Sequence, residues 1–445
     1  MNISKFFHYL QINNDIYAIF NSLTMKILFV DKPFLDQIIS GTISNSSQVK
    51  ILLENNILVE STSDDYNALR ELKRSIKNTT GVVSLMYLNI TTKCNLLCEY
   101  CFIEQATQSQ NRVMRMSTNT ARVAIDKFVE EIDAKNDGLG EIIIYGGEPT
   151  LNRKVLMDSI SYARARKPDL KISIVTNGTL LDEKLVKFLS ENLIGVGLSL
   201  DGPKPINDKN RVFKNSQLSV YDVVERNIEL MNEHSIRYSL SATVSKDVIE
   251  NKEQVFSWLK NSDIKNVFWN ILHFSSYTDS WGDFYENMAD FMIESYDKLL
   301  EYKIGEGKLN EHLDLFINNH FRFHSCGAVG LNQITIQPNG NICICQGDSR
   351  TDDHTVGNIL RDNISHVVQN ETENYWKKLY TVDNDTCIAC PALYVCGGGC
   401  PLQSEILFGK REVLDEASCI FYKKLLHFII EKFYFASIDA KQGGV

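Results

Sequence analysis

Three cysteines constrain this chain more than anything else in it. Cys94, Cys98 and Cys101 stand with three and then two residues between them, directly after the strand-like run Leu85–Ile90. With 11 cysteines in 445 residues, chance would produce such a triple on the order of 0.01 times. Thiolates at this spacing can hold three irons of a 4Fe–4S cube and leave the fourth without a protein ligand. An open iron can bind a reactant, so the expectation is chemistry and not electron storage alone. A structural zinc site is the competing reading. It closes with four ligands, usually as CxxC pairs, and no fourth Cys or His follows nearby.

The other eight cysteines all fall after residue 325. Cys326 is followed by 13 residues, Gly340, four residues and Cys345; then come Cys387-x2-Cys390-x5-Cys396-x3-Cys400 and, after 18 residues, Cys419. Cys343 lies two residues before Cys345 in the strand-like run Asn341–Cys345, which would point both side chains to one face. A zinc ribbon is the competing reading of the CxxC group. Glycines 397–399 would let the backbone wrap closely around a cluster.

The first triple, with Tyr100 before and Phe102 after its last cysteine, resembles the signature of the radical S-adenosylmethionine (SAM) enzymes. The later set resembles the SPASM extension, which carries two auxiliary clusters. The resemblance implies three 4Fe–4S clusters plus SAM. The SAM methionyl group would chelate the open iron held by Cys94, Cys98 and Cys101. It also implies that Cys387, Cys390, Cys396 and Cys419 fill one auxiliary site, while Cys326, Cys345 and Cys400 hold the other. Cys343 is the candidate for its fourth ligand; otherwise that iron is open, for example to a substrate thiolate.

From Val82 to about residue 305, strand and helix patterns alternate, which calls for a parallel sheet. The expected strands are 83–90, 141–145, 171–175, 195–200, 238–244 and 266–272, with helices such as 118–132 and 183–191 between them. Six such units fit a partial (β/α)6 TIM-like barrel, whose working residues sit at the C-terminal strand ends. Gly146-Gly147-Glu148-Pro149 ends the second strand. Its glycines allow close backbone approach, and its carboxylate can accept from an ammonium. By resemblance Gly146 and Gly147 meet the SAM amine and Glu148 orients them, while Tyr100 offers backbone to the adenine. Ser199 meets the ribose or carboxylate, Arg211 the carboxylate, and Leu272 packs on the adenine. A guanidinium fork suits a carboxylate, although Arg211 could equally pair with Asp201 or Asp208. Thr176-Asn177-Gly178 reads mainly as a turn. The aromatic-rich stretch 274–320, Trp281 included, reads as amphipathic helices packing in the core.

Ahead of the barrel, residues 9–30 read as strands joined by Asn-rich turns. Short helical stretches 34–39 and 49–56 and a strand at 57–60 follow. These suit a winged-helix-like module of the kind that, in peptide maturases, grips a precursor's leader; a cap that only packs on the barrel is the plainer alternative. Residues 66–76 read as a linker helix, and 425–435 as an amphipathic helix. The expected organisation is therefore α/β: 1–80 a leader-recognition-like module, 81–305 the radical SAM partial barrel, and 306–445 the cysteine-rich Fe–S SPASM domain.

A net charge of −10 argues against nucleic acid as a partner. No uncharged apolar stretch is long enough to span a bilayer. With no secretion signal read at the N-terminus and cysteines set for metal, a cytoplasmic enzyme is expected. The resemblance implies a radical maturase acting on a ribosomally made precursor peptide, fed by a flavodoxin- or ferredoxin-type reductant, and forming a thioether or carbon–carbon cross-link. The alternatives are an anaerobic sulfatase-maturating, formylglycine-forming enzyme and a non-catalytic electron-transfer protein. In the sulfatase-maturating group an aspartate base follows the cysteine that matches Cys345; here that place holds Gln346, with Asp348 two further on.

Overall fold

The computed structural model describes residues 1–79, 82–101, 113–135, 139–272, 283–350 and 353–442. Phe102 and Trp281, both singled out above, lie outside them. The chain forms two compact units. The first gathers Met1–Thr80, Asn310–Cys326 and Lys378–Val445; the second gathers Gly81–Leu309 and Gly327–Lys377. The cysteine-rich stretch thus divides, with Cys343 and Cys345 in the second unit and the other auxiliary cysteines in the first.

In the first unit, β1 (Asn2–Ile3) pairs with β5 (Leu58–Val59), and β2 (Phe7–Gln11), β3 (Ile16–Asn21) and β4 (Ile27–Asp31) form an antiparallel meander. Asparagine side chains fold its turns. Asn13 Oδ1 accepts from the amides of Asp15 and Ile16, and Asn21 Oδ1 from those of Leu23 and Thr24. Helix Lys32–Ser40 starts where Asp31 accepts from the Phe34 amide at 2.8 Å with Pro33 in the first turn, and stops at Gly41, φ 69°. With helix Ser46–Glu54 it buries Leu35, Ile38 and Leu52 against Ile19 and Ile57. The other face of β4 presents Phe29 to Phe433 and Tyr434, with ring centroids 6.2 and 4.9 Å away. Both partners lie on helix Glu416–Gln442, which contains the expected 425–435 stretch. The meander is therefore covered on both faces.

The second unit is built on a ten-stranded sheet. Its centre is six parallel strands adjacent in chain order: β6 (Leu85–Thr91), β8 (Glu141–Gly146), β9 (Lys171–Thr176), β10 (Gly195–Leu198), β12 (Tyr238–Val244) and β13 (Asn266–Ile271). Beyond β13 lies β14 (Gly305–Glu306). On the β6 side follow β15 (Gln333–Ile336), parallel to β6, then antiparallel β16 (Asn341–Cys343) and β17 (Gly357–Asn358). Helices Thr118–Lys135, Arg153–Arg166, Glu183–Glu191, Val220–Glu233 and Lys252–Lys260 connect the parallel strands, as parallel neighbours require. The parallel strands end on one side at Thr91, Gly146, Thr176, Leu198, Val244 and Ile271. The motifs carrying cysteine, GGEP, TNG and SLDGP all follow those ends.

Candidate functional site

The cysteine loop is fastened at both ends. Where β6 stops, Thr91 O accepts from the Gly147 amide and Lys93 O from the Glu148 amide, each at 2.8 Å. The two backbones cross so closely that a Cβ on Gly146 would stand 2.2 Å from Thr91 O, and one on Gly147 2.5 Å from Lys93 O. Gly146 also takes φ +143°, a conformation side chains disfavour. The sequence reading gave these glycines to ligand approach; their nearest neighbour is the cysteine loop itself. Beyond Cys94 the loop forms β7 (Leu96–Cys98), which pairs antiparallel with β11 (Arg211–Phe213), setting Arg211 opposite Cys98. Three residues per strand give no period to read, so this pairing was invisible in the sequence.

Around that pairing lies a buried polar knot. Arg211 directs Nε and Nη2 at the two Asp201 oxygens, each at 2.9 Å, and its Nη1 lies 3.9 Å from Cys98 Sγ. Its guanidinium stands 5.5 Å from the Tyr100 ring centroid, and the Tyr100 hydroxyl donates to Asp201. Asp201 also accepts from the Thr243 amide at 2.9 Å. Burial opposes charge on Arg211, but the Asp201 carboxylate outweighs it and holds the guanidinium pKa well above its usual value. Burial likewise pushes the Tyr100 hydroxyl well up, keeping it a neutral donor. Of the two partners foreseen for Arg211, Asp201 is the one it takes here.

Glu148 is 0% exposed and fully engaged. It accepts from the amides of Thr150 (3.0 Å) and Asn177 (2.8 Å) and from the hydroxyls of Thr150 (2.5 Å) and Thr176 (2.7 Å). Burial raises its pKa against those four donors. The carboxylate thus ties the end of β8 to the end of β9. Asn177 reaches further, donating to Asn95 Oδ1 at 2.9 Å, with Cys94 Sγ 3.8 Å away. The TNG turn, read as loop chemistry, serves the cysteine loop. Ser199 donates its amide to Thr176 O at 2.9 Å, and Leu272 is buried, its carbonyl accepting from Tyr285.

Burial, the largest influence, pushes the Cys94 thiol up to about 11 and Cys98 to about 12. Buried thiols gathered on one loop favour the thiolate form only beside a strong positive charge, which an iron cube supplies. In the first unit, Cys396 lies within electrostatic range of Cys387, Cys390 and Cys419, the three cysteines expected to share its site. Cys400, pushed up to about 12 mainly by burial, neighbours Cys326. These donor sets fit iron–sulfur clusters. In the second unit Cys345 follows β16, whose strand conformation ends at Cys343, so the shared-face argument stops there. Ten of the eleven cysteines retain some exposure; Cys343 retains none, and Gln337 Nε2 lies 3.1 Å from its sulfur.

Residues 88–259 match the model of the radical SAM superfamily, and residues 326–391 that of the SPASM iron–sulfur cluster-binding domain. The chain carries a radical SAM domain and a SPASM domain. That places it among radical SAM enzymes, with SAM and iron–sulfur clusters as cofactors. The cysteine-type anaerobic sulfatase-maturating enzyme of Clostridium perfringens is 27% identical over 335 residues, covering 72% of this chain and 88% of that one. The radical SAM cyclopropyl synthase TigE of Paramaledivibacter caminithermalis is 23% identical over 445 residues, covering 95% and 90%. Among solved structures, native anSMEcpe with bound AdoMet aligns with a TM-score of 0.67 at 21% identity, covering 80% of this chain and 100% of that one. Streptococcus suis SuiB bound to precursor peptide SuiA gives 0.57 at 14%, covering 94% and 99%. At such identities the structural likeness is one of fold. Among the described residues no helix is long and apolar enough to cross a membrane.

Proposed function

We propose that this radical SAM enzyme matures a ribosomally made peptide by removing hydrogen and closing a thioether or carbon–carbon cross-link. The observation that carries the reading is Gln346. Its side chain hydrogen-bonds Tyr145, which lies at the end of β8 within electrostatic range of Cys101 and Cys94. An amide is no base, so the position after Cys345 cannot take the proton that formylglycine formation requires of it. Bound SAM and a site-differentiated 4Fe–4S cluster supply the chemistry, a reductively released 5′-deoxyadenosyl radical that abstracts hydrogen from carbon.

The protein's own part is placement. Cys94, Cys98 and Cys101 hold the cluster, with Gly146, Gly147, Ser199, Arg211, Leu272 and the Tyr100 backbone lining SAM at the strand ends of a partial barrel. Glu148 and Asp201 lock those elements together. Cys387, Cys390, Cys396 and Cys419 would hold one auxiliary cluster, and Cys326, Cys345 and Cys400 a second, which would supply acceptors for an electron. Residues 1–80, winged-helix-like, bind the leader. SuiB with its bound precursor supports a peptide substrate, as does anSMEcpe, solved with the Cp18Cys peptide. A flavodoxin- or ferredoxin-type protein supplies electrons in a cytoplasmic setting.

The second reading, formylglycine formation, is favoured by Asp348. This carboxylate is 1% exposed, two residues beyond Gln346, and its amide donates to Cys345 O at 3.1 Å. Co-expression with a candidate precursor separates the two. Loss of two hydrogens without aldehyde reactivity supports the cross-link. A product trapped by a hydrazide is formylglycine, and the cross-link reading then fails.

A further inference from the structure

The first unit buries a cation among its cysteines. Arg322 is 8% exposed. Its Nη2 donates to Ser325 O at 2.8 Å, immediately before Cys326, and its Nη1 is hydrogen-bonded to Nε2 of His312, itself 1% exposed. Its backbone amide donates to Tyr394 O at 3.0 Å, two residues before Cys396. Gly397, directly after Cys396, has φ +69°, and a Cβ there would meet His324 O at 2.3 Å and Arg322 Cγ at 3.0 Å. Tyr422, three residues past Cys419, lies beside His312 with the rings tilted at 40° and their centroids 5.5 Å apart. Its buried hydroxyl is within electrostatic range of Arg322, Cys396 and Cys326 alike. Arg322 thus meets the Cys326 segment with its guanidinium and the Cys396 segment with its backbone amide and Cγ, and His312 links it to the ring three residues past Cys419.

We propose that Arg322 sets the reduction potential of the auxiliary clusters. It is a positioning residue and meets no substrate. Reducing a cube adds one negative charge, and net charge and hydrogen bonding tune cube potentials. A guanidinium stays protonated in any protein environment, and where water is excluded its field is poorly screened. Its hydrogen-bond partners bring no formal negative charge: the Ser325 carbonyl at 2.8 Å, the His324 carbonyl at 3.4 Å and the His312 imidazole, whose lone pair faces the cation. Glu311, at 3.5 Å, is half exposed and screens only in part. Arg322 therefore makes the clusters better acceptors for the substrate's electron.

The inference rests on the auxiliary clusters of the proposed function. Redox titration of the anaerobically reconstituted full chain, followed by EPR, tests it. Auxiliary signals are assigned in a Cys94→Ala/Cys98→Ala/Cys101→Ala background. With Arg322→Gln, the auxiliary midpoint should fall by at least the equivalent of a tenfold loss in the reduction equilibrium constant, about 59 mV for one electron. Arg322→Lys, keeping the charge, should stay near the parent, and Glu311→Gln should move it upward. Full iron with unmoved midpoints in Arg322→Gln overturns the idea. Should that variant assemble no clusters, Glu311→Gln decides: a rise supports the role and no change ends it. An intact chain holding about four irons instead of about twelve would remove the auxiliary clusters, and both readings with them. Twelve irons with unmoved midpoints removes this one alone.

Discussion

Arg211 and Asp201 form a two-pronged ion pair, both N···O distances 2.9 Å, with Asp201 1% exposed and Arg211 7%. A buried pair is weak evidence for stability while intact, but removing one partner strands the other charge. Asp201→Asn should therefore cost about 3–5 kcal/mol in denaturant unfolding of the anaerobic protein. The double variant Asp201→Asn/Arg211→Met should recover part of that loss. A single-variant loss below about 1 kcal/mol would mean that water reaches the pair.

Gly147→Ala forces a Cβ against two carbonyls of the cysteine loop, at 2.5 and 2.6 Å. Neither is the end of a flexible side chain, so the loop itself must shift. The SAM-sensitive EPR signal of the reduced cluster should disappear, and iron should drop by about four atoms per chain. Gly195→Ala is the control, because its added Cβ meets Ser173 Cβ at an ordinary 3.6 Å. Equal behaviour of the two variants would show that the crossing is not what demands glycine.

Glu148 predicts a pH dependence. Its folded pKa lies above the ordinary 4.5, so between those values the folded state holds a proton that the unfolded state has lost. Its contribution is fully present below 4.5 and is lost as pH rises through the folded value. Glu148→Gln turns an amide donor toward groups that all donate, costing about 1–3 kcal/mol. It should also flatten that negative slope in urea unfolding of the cluster-free protein from pH 4.5 upward. An unchanged slope would place the titrating group elsewhere.

Cys343 should not be a ligand. A cube needs room beside each sulfur, and Cys343 has no exposure and a neighbour in Gln337. Cys343→Ala is expected to keep the parent's iron content, whereas Cys345→Ala loses about four irons. Equal loss from both would make Cys343 the fourth ligand after all.

What the sequence made legible was contiguous. The spacings of Cys94–Cys101 and Cys387–Cys400 survive intact in one line of text, and strand patterns such as 171–175 need only their own residues. What it hid was pairing at a distance. Nothing in Leu96–Cys98 announces Arg211–Phe213 as its partner, because three residues carry no periodicity. The glycines at the end of β8 read as room for a ligand because the backbone that crosses them, at Thr91 and Lys93, is far back in the chain. Helix 425–435 was legible as amphipathic, yet its partner, Phe29, lies some 400 residues back. Arg322 gave no signal at all, since a lone arginine in a loop has no pattern to break.

The first unit is assembled from three separated stretches, and Phe29 on β4 meets its partners on the helix that begins at Glu416. During translation, residues 1–80 therefore leave the ribosome with Phe29 still lacking the two rings it packs against. They must wait through more than 300 further residues for Phe433 and Tyr434. Cys419 is on that same late helix, so in the proposed function the auxiliary site it shares with Cys387, Cys390 and Cys396 would be loaded with iron late too. A cell making this protein is expected to need a holding chaperone first and a cluster donor second.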